Sequence, residues 1–287
     1  MRFTSCKNLL DIRSPNTLYV YQFEFTILII TTSLLRRSAM ELFEFAFCHE
    51  FGKKLSYLSG MCPEKWNFDN QPTNTILKSY IMHTFLKLVE ENNIFQSEDY
   101  ALFNTGLYTE HYEAIYTYFT RNEIPNRQKW FLNGFYTEYQ LTSMGISSRP
   151  KRANYFENPA DLVFDTNCEI CPQYAHIFGN TENRNRIPKS VREEMNREIL
   201  FDGAIKHAKH MIDANYKTAV PQYYRGHIQL LIPICLIDPS VPDLALVVSK
   251  SESGDQYLGH TCLTLDMAYN NARLIARPDS AWLKIER

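Results

Sequence analysis

The stretch YYRGHIQLLIPICLIDPSVPDLALVVSKSESGDQYLGHTCLTLDMAYNNARLIARP, Tyr223 to Pro278, decides the fold class. It holds three apolar runs of strand length, at 223–237, 243–251 and 256–263. Pro-Ser-Val-Pro-Asp separates the first two and Glu252-Ser253-Gly254-Asp255 the next two; such clusters are turn formers. The period then changes. Leu265, Ala268, Tyr269, Ala272 and Ile275 recur at helical spacing until Pro278 stops the run. Strands joined by short turns and closed by one helix predict a mixed or antiparallel sheet with a helix packed on it.

Upstream, the 3.6-residue period predicts helices over about 41–59 and 74–93. Ala101–Phe103 reads as a short strand, Asn104-Thr105-Gly106 as a tight turn and Glu110 to Phe119 as a short helix. Strand-like KWFLNGFYTEY follows at 129–139, then a basic, proline-bearing loop at 145–160 and a strand at 161–164. Residues 190–213 predict a long helix opened by a Ser190/Glu193 capping box. No internal repeat is visible. The sum is an α+β fold: N-terminal helices, a central mixed or antiparallel sheet and a closing C-terminal helix, expected as a single domain over 40–287.

With 45% apolar residues the 287-residue chain can fill a core, and a net charge of −2 does not fit a globally basic nucleic-acid binder. Seven cysteines, an odd number in a large chain, imply no disulfide framework and favour the cytoplasm. Residues 18–35, LYVYQFEFTILIITTSLL, form the most hydrophobic run. A transmembrane or signal segment, an extra strand, and synthesis starting at Met40 compete to explain it. The last is preferred, making 1–39 a non-conforming extension; no stable membrane partner is then expected.

No P-loop, Rossmann fingerprint, H-E-x-x-H or G-x-S-x-G occurs. Cys168-x-x-Cys171 and His207-x-x-His210 with Asp213 each fall short of a metal site, so no metal is expected, and no cofactor is named. Three places can carry binding chemistry. Asn104, Thr105 and Gly106 could offer backbone N–H groups and short polar side chains to a phosphate or base edge, or simply form a structural turn. Arg225, His227 and Gln229 share one face if they lie in a strand. Asp266, Asn270, Arg273 and Arg277 form a polar stripe on the last helix, readable as a solvated face or the wall of a site. Arginine suits bidentate phosphate contacts, with Asp266 orienting Arg273. Asp266, His227 and His260 are the acid–base candidates should chemistry occur.

The blocks FNTGL, EAIYTYF, GHIQLLIPICL, PDLALVV and LTLDMAYNNARLIARPDSAWL resemble, over about 42–283, an uncharacterised bacterial domain family sometimes found beside OST-HTH (LOTUS) modules. That resemblance implies an RNA or nucleotide context and no particular reaction. The expectation is an RNA- or nucleotide-binding domain, with a nucleotide hydrolase or transferase and a protein-interaction module as alternatives.

Overall fold

The structure is a computed structural model that describes residues 40–68 and 73–285; the hydrophobic run at 18–35 lies outside them. The first half of the chain runs α1 (Leu42–Phe45), β1 (Ala46–Phe47), α2 (Phe51–Met61), α3 (Thr75–Glu90), β2 (Phe95–Gln96), β3 (Tyr100–Tyr108), β4 (Ala114–Arg121), β5 (Trp130–Thr137) and α4 (Glu138–Ser143). The second half runs β6 (Glu169–Pro172), α5 (Tyr174–Gly179), α6 (Thr181–Arg186), α7 (Lys189–Arg192), α8 (Arg197–Ala214), β7 (Val220–Tyr224), β8 (His227–Ile234), β9 (Leu244–Lys250), β10 (Gln256–Leu263) and α9 (Leu265–Arg273). The fold is α+β, with a closing helix after the strands.

Two five-stranded mixed sheets result, ordered β1-β5-β4-β3-β2 and β6-β10-β9-β8-β7. In each, the first strand pairs parallel with the last, and the other pairings are antiparallel. One topology is therefore written twice along the chain. The repeat is invisible in sequence because the equivalent pieces differ: β1 has two residues where β6 has four, and α2 and α3 stand where α5 to α8 do.

Alternation along the strands sorts their side chains into layers. Ala101, Phe103, Ile115, Phe119, Trp130 and Leu132 of the first sheet share a core with α2, α3 and α9. Leu231, Ala245, Val247 and Leu263 of the second sheet join that same core from the other side. Leu230, Ile232, Leu246 and Val248 point the opposite way, against Phe201, Ala204, Ala208 and Ile212 of α8. The second sheet is thus covered on both faces, which explains its near-continuous apolar strands.

Several local expectations change. Residues 110–119, read as a short helix, instead hold part of the β3–β4 connection and most of the central strand β4 (Ala114–Arg121); the β-branched and aromatic run AIYTYF packs better on a pleated sheet than on a helix. Pro159–Leu162 is a 3-10 turn and the strand expected at 161–164 forms at 169–172 instead. Ser190 sits inside α7 and caps nothing; α8 starts only at Arg197. Among the described residues no helix is long and apolar enough to cross a membrane.

Phe103 is fully buried, its ring 5.6 Å from Phe85 and 5.9 Å from Phe119. Phe103→Ala should cost about 3–5 kcal/mol in urea unfolding, whereas Tyr57→Ala, at a largely exposed position on α2, should stay within about 0.5 kcal/mol.

Candidate functional site

A cleft of about 360 Å³ opens where β3, the 152–156 loop and the end of α9 meet. Its construction starts from one buried charge. Arg273, in the last turn of α9, is only 6% exposed. Its Nε donates to Glu64 Oε2 at 2.9 Å and its Nη2 to Glu64 Oε1 at 2.8 Å, a bidentate fork. The guanidinium also lies 4.9 Å from the Trp66 ring centre and 4.7 Å from that of Tyr80, within cation–π reach. Burial alone would lower the Arg273 pKa; the Glu64 hydrogen bonds and the neighbouring Tyr80 and Glu64 outweigh it and raise the value.

The Tyr80 phenol passes this order on. Burial pushes its pKa up, against the opposing pull of Arg273, so the hydroxyl stays protonated. It donates to the Thr105 carbonyl at 2.9 Å. Thr105 belongs to a bulge in β3 and not to a strand-to-helix turn. The β3–β4 register runs Asn104↔Tyr116 and then Tyr108↔Ala114, so three residues of β3 oppose one of β4. Thr105 Oγ1 donates to the Ile115 carbonyl at 2.7 Å and accepts from Leu107 N–H, while Asn104 Oδ1 accepts from Gly106 N–H at 2.9 Å. These side chains are therefore spent on holding the bulge. Gly106 has φ +73°, and a Cβ there would stand 2.8 Å from the Tyr80 hydroxyl. Thr105 and Gly106 line the cleft.

The opposite wall is a loop clamped to α3. Asn154 N–H donates to the Glu91 carboxylate at 3.0 Å. The Tyr155 hydroxyl sits 3.1 Å from Thr84 Oγ1, and the Tyr155 ring meets Tyr223 edge-on at 4.8 Å. Burial raises the Tyr155 pKa, with Tyr80 adding to it, so this hydroxyl too is a neutral hydrogen-bonding group. The rings of Tyr108 and Tyr112 complete the rim, 41% and 86% exposed. Tyr112 holds a left-handed φ of +59° in the β3–β4 connection, a strained choice for a non-glycine residue. Arg152 and Arg277 line the same cleft, are exposed, and form no ion pair among the described residues.

The polar stripe of the last helix divides. Arg273 is buried, Arg277 lies past the helix end on the cleft, and Asp266 is exposed in the first turn, where a carboxylate suits the helix dipole. The carboxylate that orients Arg273 is Glu64, not Asp266. Asn270 is half-buried and does not line the cleft; its Oδ1 is sealed from solvent without a hydrogen-bond partner among the described residues.

Arg225 does not share a strand face with His227 and Gln229. It forms the β7–β8 turn with Gly226, at φ +49° and +90°, the two positive angles that a two-residue hairpin matched to strand twist requires. His227 is exposed beside it. Gln229 accepts from Gln222 Nε2 at 3.0 Å, and Gln222 Oε1 accepts from Asn271 Nδ2 at 3.1 Å, a ladder that ties β8 and β7 to α9. His260 pairs with the Ser249 hydroxyl on the second sheet, and burial, with His176, pushes its pKa down. Asp266, His227 and His260 all lie outside the cleft lining. Among the described residues no group of three or more His, Cys, Asp or Glu could hold a metal ion.

Sequence reasoning missed Glu64, Tyr80, Arg152 and Tyr155. Glu64 and Arg273 are 209 positions apart, and no spacing rule links them. The available signal was chemical: an arginine bordered by Ala272 and Leu274 on the apolar side of a helix needs a carboxylate, and Glu64 lies two residues before Trp66 in a segment of otherwise turn-like character.

The chain matches the family described as a domain of unknown function, DUF3825, over residues 59–282, and it belongs to that family. No curated protein and no solved structure matches it.

Breaking a buried pair by removing one partner costs about 3–5 kcal/mol, so Arg273→Ala should lose that much in urea unfolding. The double variant Glu64→Gln/Arg273→Met, which leaves no charge behind, should recover much of the loss. Gly106→Ala should cost more than about 2 kcal/mol, because left-handed strain of about 1–2 kcal/mol adds to the clash with a tyrosine that cannot swing away.

Proposed function

We propose that this chain binds a nucleotide, or a short length of single-stranded RNA, in the cleft between β3, the 152–156 loop and the end of α9. The observation that carries the reading is that two exposed arginines without ion-pair partners among the described residues, Arg152 and Arg277, border a cleft walled by tyrosine rings. Guanidinium forks match phosphate oxygens bidentately. Each base stacked on an aromatic ring contributes about 1–3 kcal/mol without regard to sequence. The volume, about 360 Å³, falls at the small end of ligand sites, so one nucleotide fills it. With a net charge of −2, attraction of an anion is local to the two arginines and not a property of the whole surface. The strained, exposed Tyr112 fits a ring kept outward for a partner. The resemblance of the five blocks from FNTGL to LTLDMAYNNARLIARPDSAWL to a family sometimes found beside OST-HTH modules implies an RNA or nucleotide context. A cytoplasmic setting suits the six free cysteines of the described residues.

The reading is binding: of the groups deepest in the cleft, Glu64 is locked on Arg273, and Tyr80 and Tyr155 are held protonated.

Titration calorimetry with ribonucleotides and short single-stranded RNA tests it. Arg277→Ala and Arg152→Ala should each weaken binding by about 10- to 100-fold, since hydrogen bonds to charged groups contribute about 1.5–3 kcal/mol. Each should also lower the salt slope on RNA by about 0.7, one single-strand phosphate contact. Unchanged affinity in both variants would overturn the proposal.

A further inference from the structure

We infer that the ligand is a phosphodiester-linked pair of nucleotides, seated one on each side of Arg277. This rests on the nucleotide reading of the cleft and narrows it. A second cavity, of about 170 Å³, lies against the same part of the chain, lined by Leu162, Val163, Tyr216, Ala219, Pro221 and Ala272 with the segment after α9. Ile275, Ala276 and Arg277 line both cavities. The three residues therefore form a ridge between them, with a cation at its end.

The two cavities differ in the way a dinucleotide requires. The first is large enough for a nucleotide and mixes polar groups with rings. The second is walled mainly by aliphatic carbon. A space of about 150 Å³ accepts benzene, so this open groove of about 170 Å³ has room for a flat ring but not for a whole nucleotide. Its one lysine, Lys217, is paired with Asp279 at 3.1 Å. Among the described residues the cation shared by the two cavities, free of an ion pair, is thus Arg277, and one guanidinium matches the single negative charge of a bridging phosphodiester. The second cavity is also built in advance. Trp282 Nε1 donates to the Thr218 carbonyl at 2.8 Å, and Leu283 is buried in the core, which fixes the tail that closes this side. A preformed slot lowers the ordering cost of a second base.

The test compares AMP with the dinucleotide pApA on the full chain by titration calorimetry. The expected result is pApA binding at least ten-fold tighter than AMP. Val163→Trp, placed at a half-exposed lining position, should fill the second cavity and return pApA to the affinity of AMP while leaving AMP unchanged. Should that variant not fold, Tyr216→Ala at the exposed rim carries the same test: several-fold weaker pApA, unchanged AMP. A tetranucleotide tighter than pApA would identify a strand as the source and equal binding a free dinucleotide; both uphold the paired site. Equal affinity for AMP and pApA, or equal loss of both in the cavity variants, overturns it while leaving the nucleotide reading intact. Binding of neither ligand overturns both.

Discussion

The buried fork between Arg273 and Glu64 is the constraint on which the rest of the site depends. Removing a cation from water costs several kcal/mol unless a carboxylate meets it with good geometry, and here that carboxylate comes from the far end of the chain. The pair therefore does more than neutralise itself. It seats the end of α9 against the segment that follows α2, and it stacks on Tyr80 of α3. Tyr80 then fixes the β3 bulge through the Thr105 carbonyl. Gly106 is required there because the tyrosine hydroxyl occupies the space of a side chain. From one ion pair to one glycine, each step leaves the next little freedom, and the cleft is the outcome.

The repeated topology explains where that cleft can form. Each half ends its sheet with a helix, but the helices do different work. α9 enters the core shared by both sheets, whereas α4 covers only part of the outer face of the first sheet. On the rest of that face a row of rings, Phe95, Tyr100, Tyr118 and Tyr136, lies at successive spacings of 5.6, 6.1 and 5.5 Å. The junction between the halves is where α9 ends and the chain after it turns back. Groups from the first half, Thr105, Gly106 and Arg152, meet Arg277 from the second at that junction.

How much was legible in the sequence follows from the range of the forces involved. The closing helix, strands β8 to β10 of the second sheet and α3 were readable because their apolar period is local. β4 was not, since AIYTYF satisfies a helical and a pleated reading alike until its neighbours are known. Arg225 was misplaced for a related reason: alternation continued through the Arg-Gly pair, and only the positive φ angles reveal a turn there. Asn104, Thr105 and Gly106 were singled out as one unit; the side chains of Asn104 and Thr105 hold a bulge, and only Thr105 and Gly106 line the cleft. Arg273 and Arg277 were singled out by helical spacing. Their separate roles depend on Glu64 and on where α9 stops, which are tertiary facts.

The most direct measurement is photocross-linking of a short 4-thiouridine RNA, with the adducts located by mass spectrometry. Cross-links concentrated on Tyr108, Tyr112, Tyr155 and Phe156, and lost in an Arg152→Ala/Arg277→Ala variant, are the predicted result. Cross-links confined to the outer ring row at Tyr100, Tyr118 and Tyr136, or unchanged by the arginine substitutions, would contradict it.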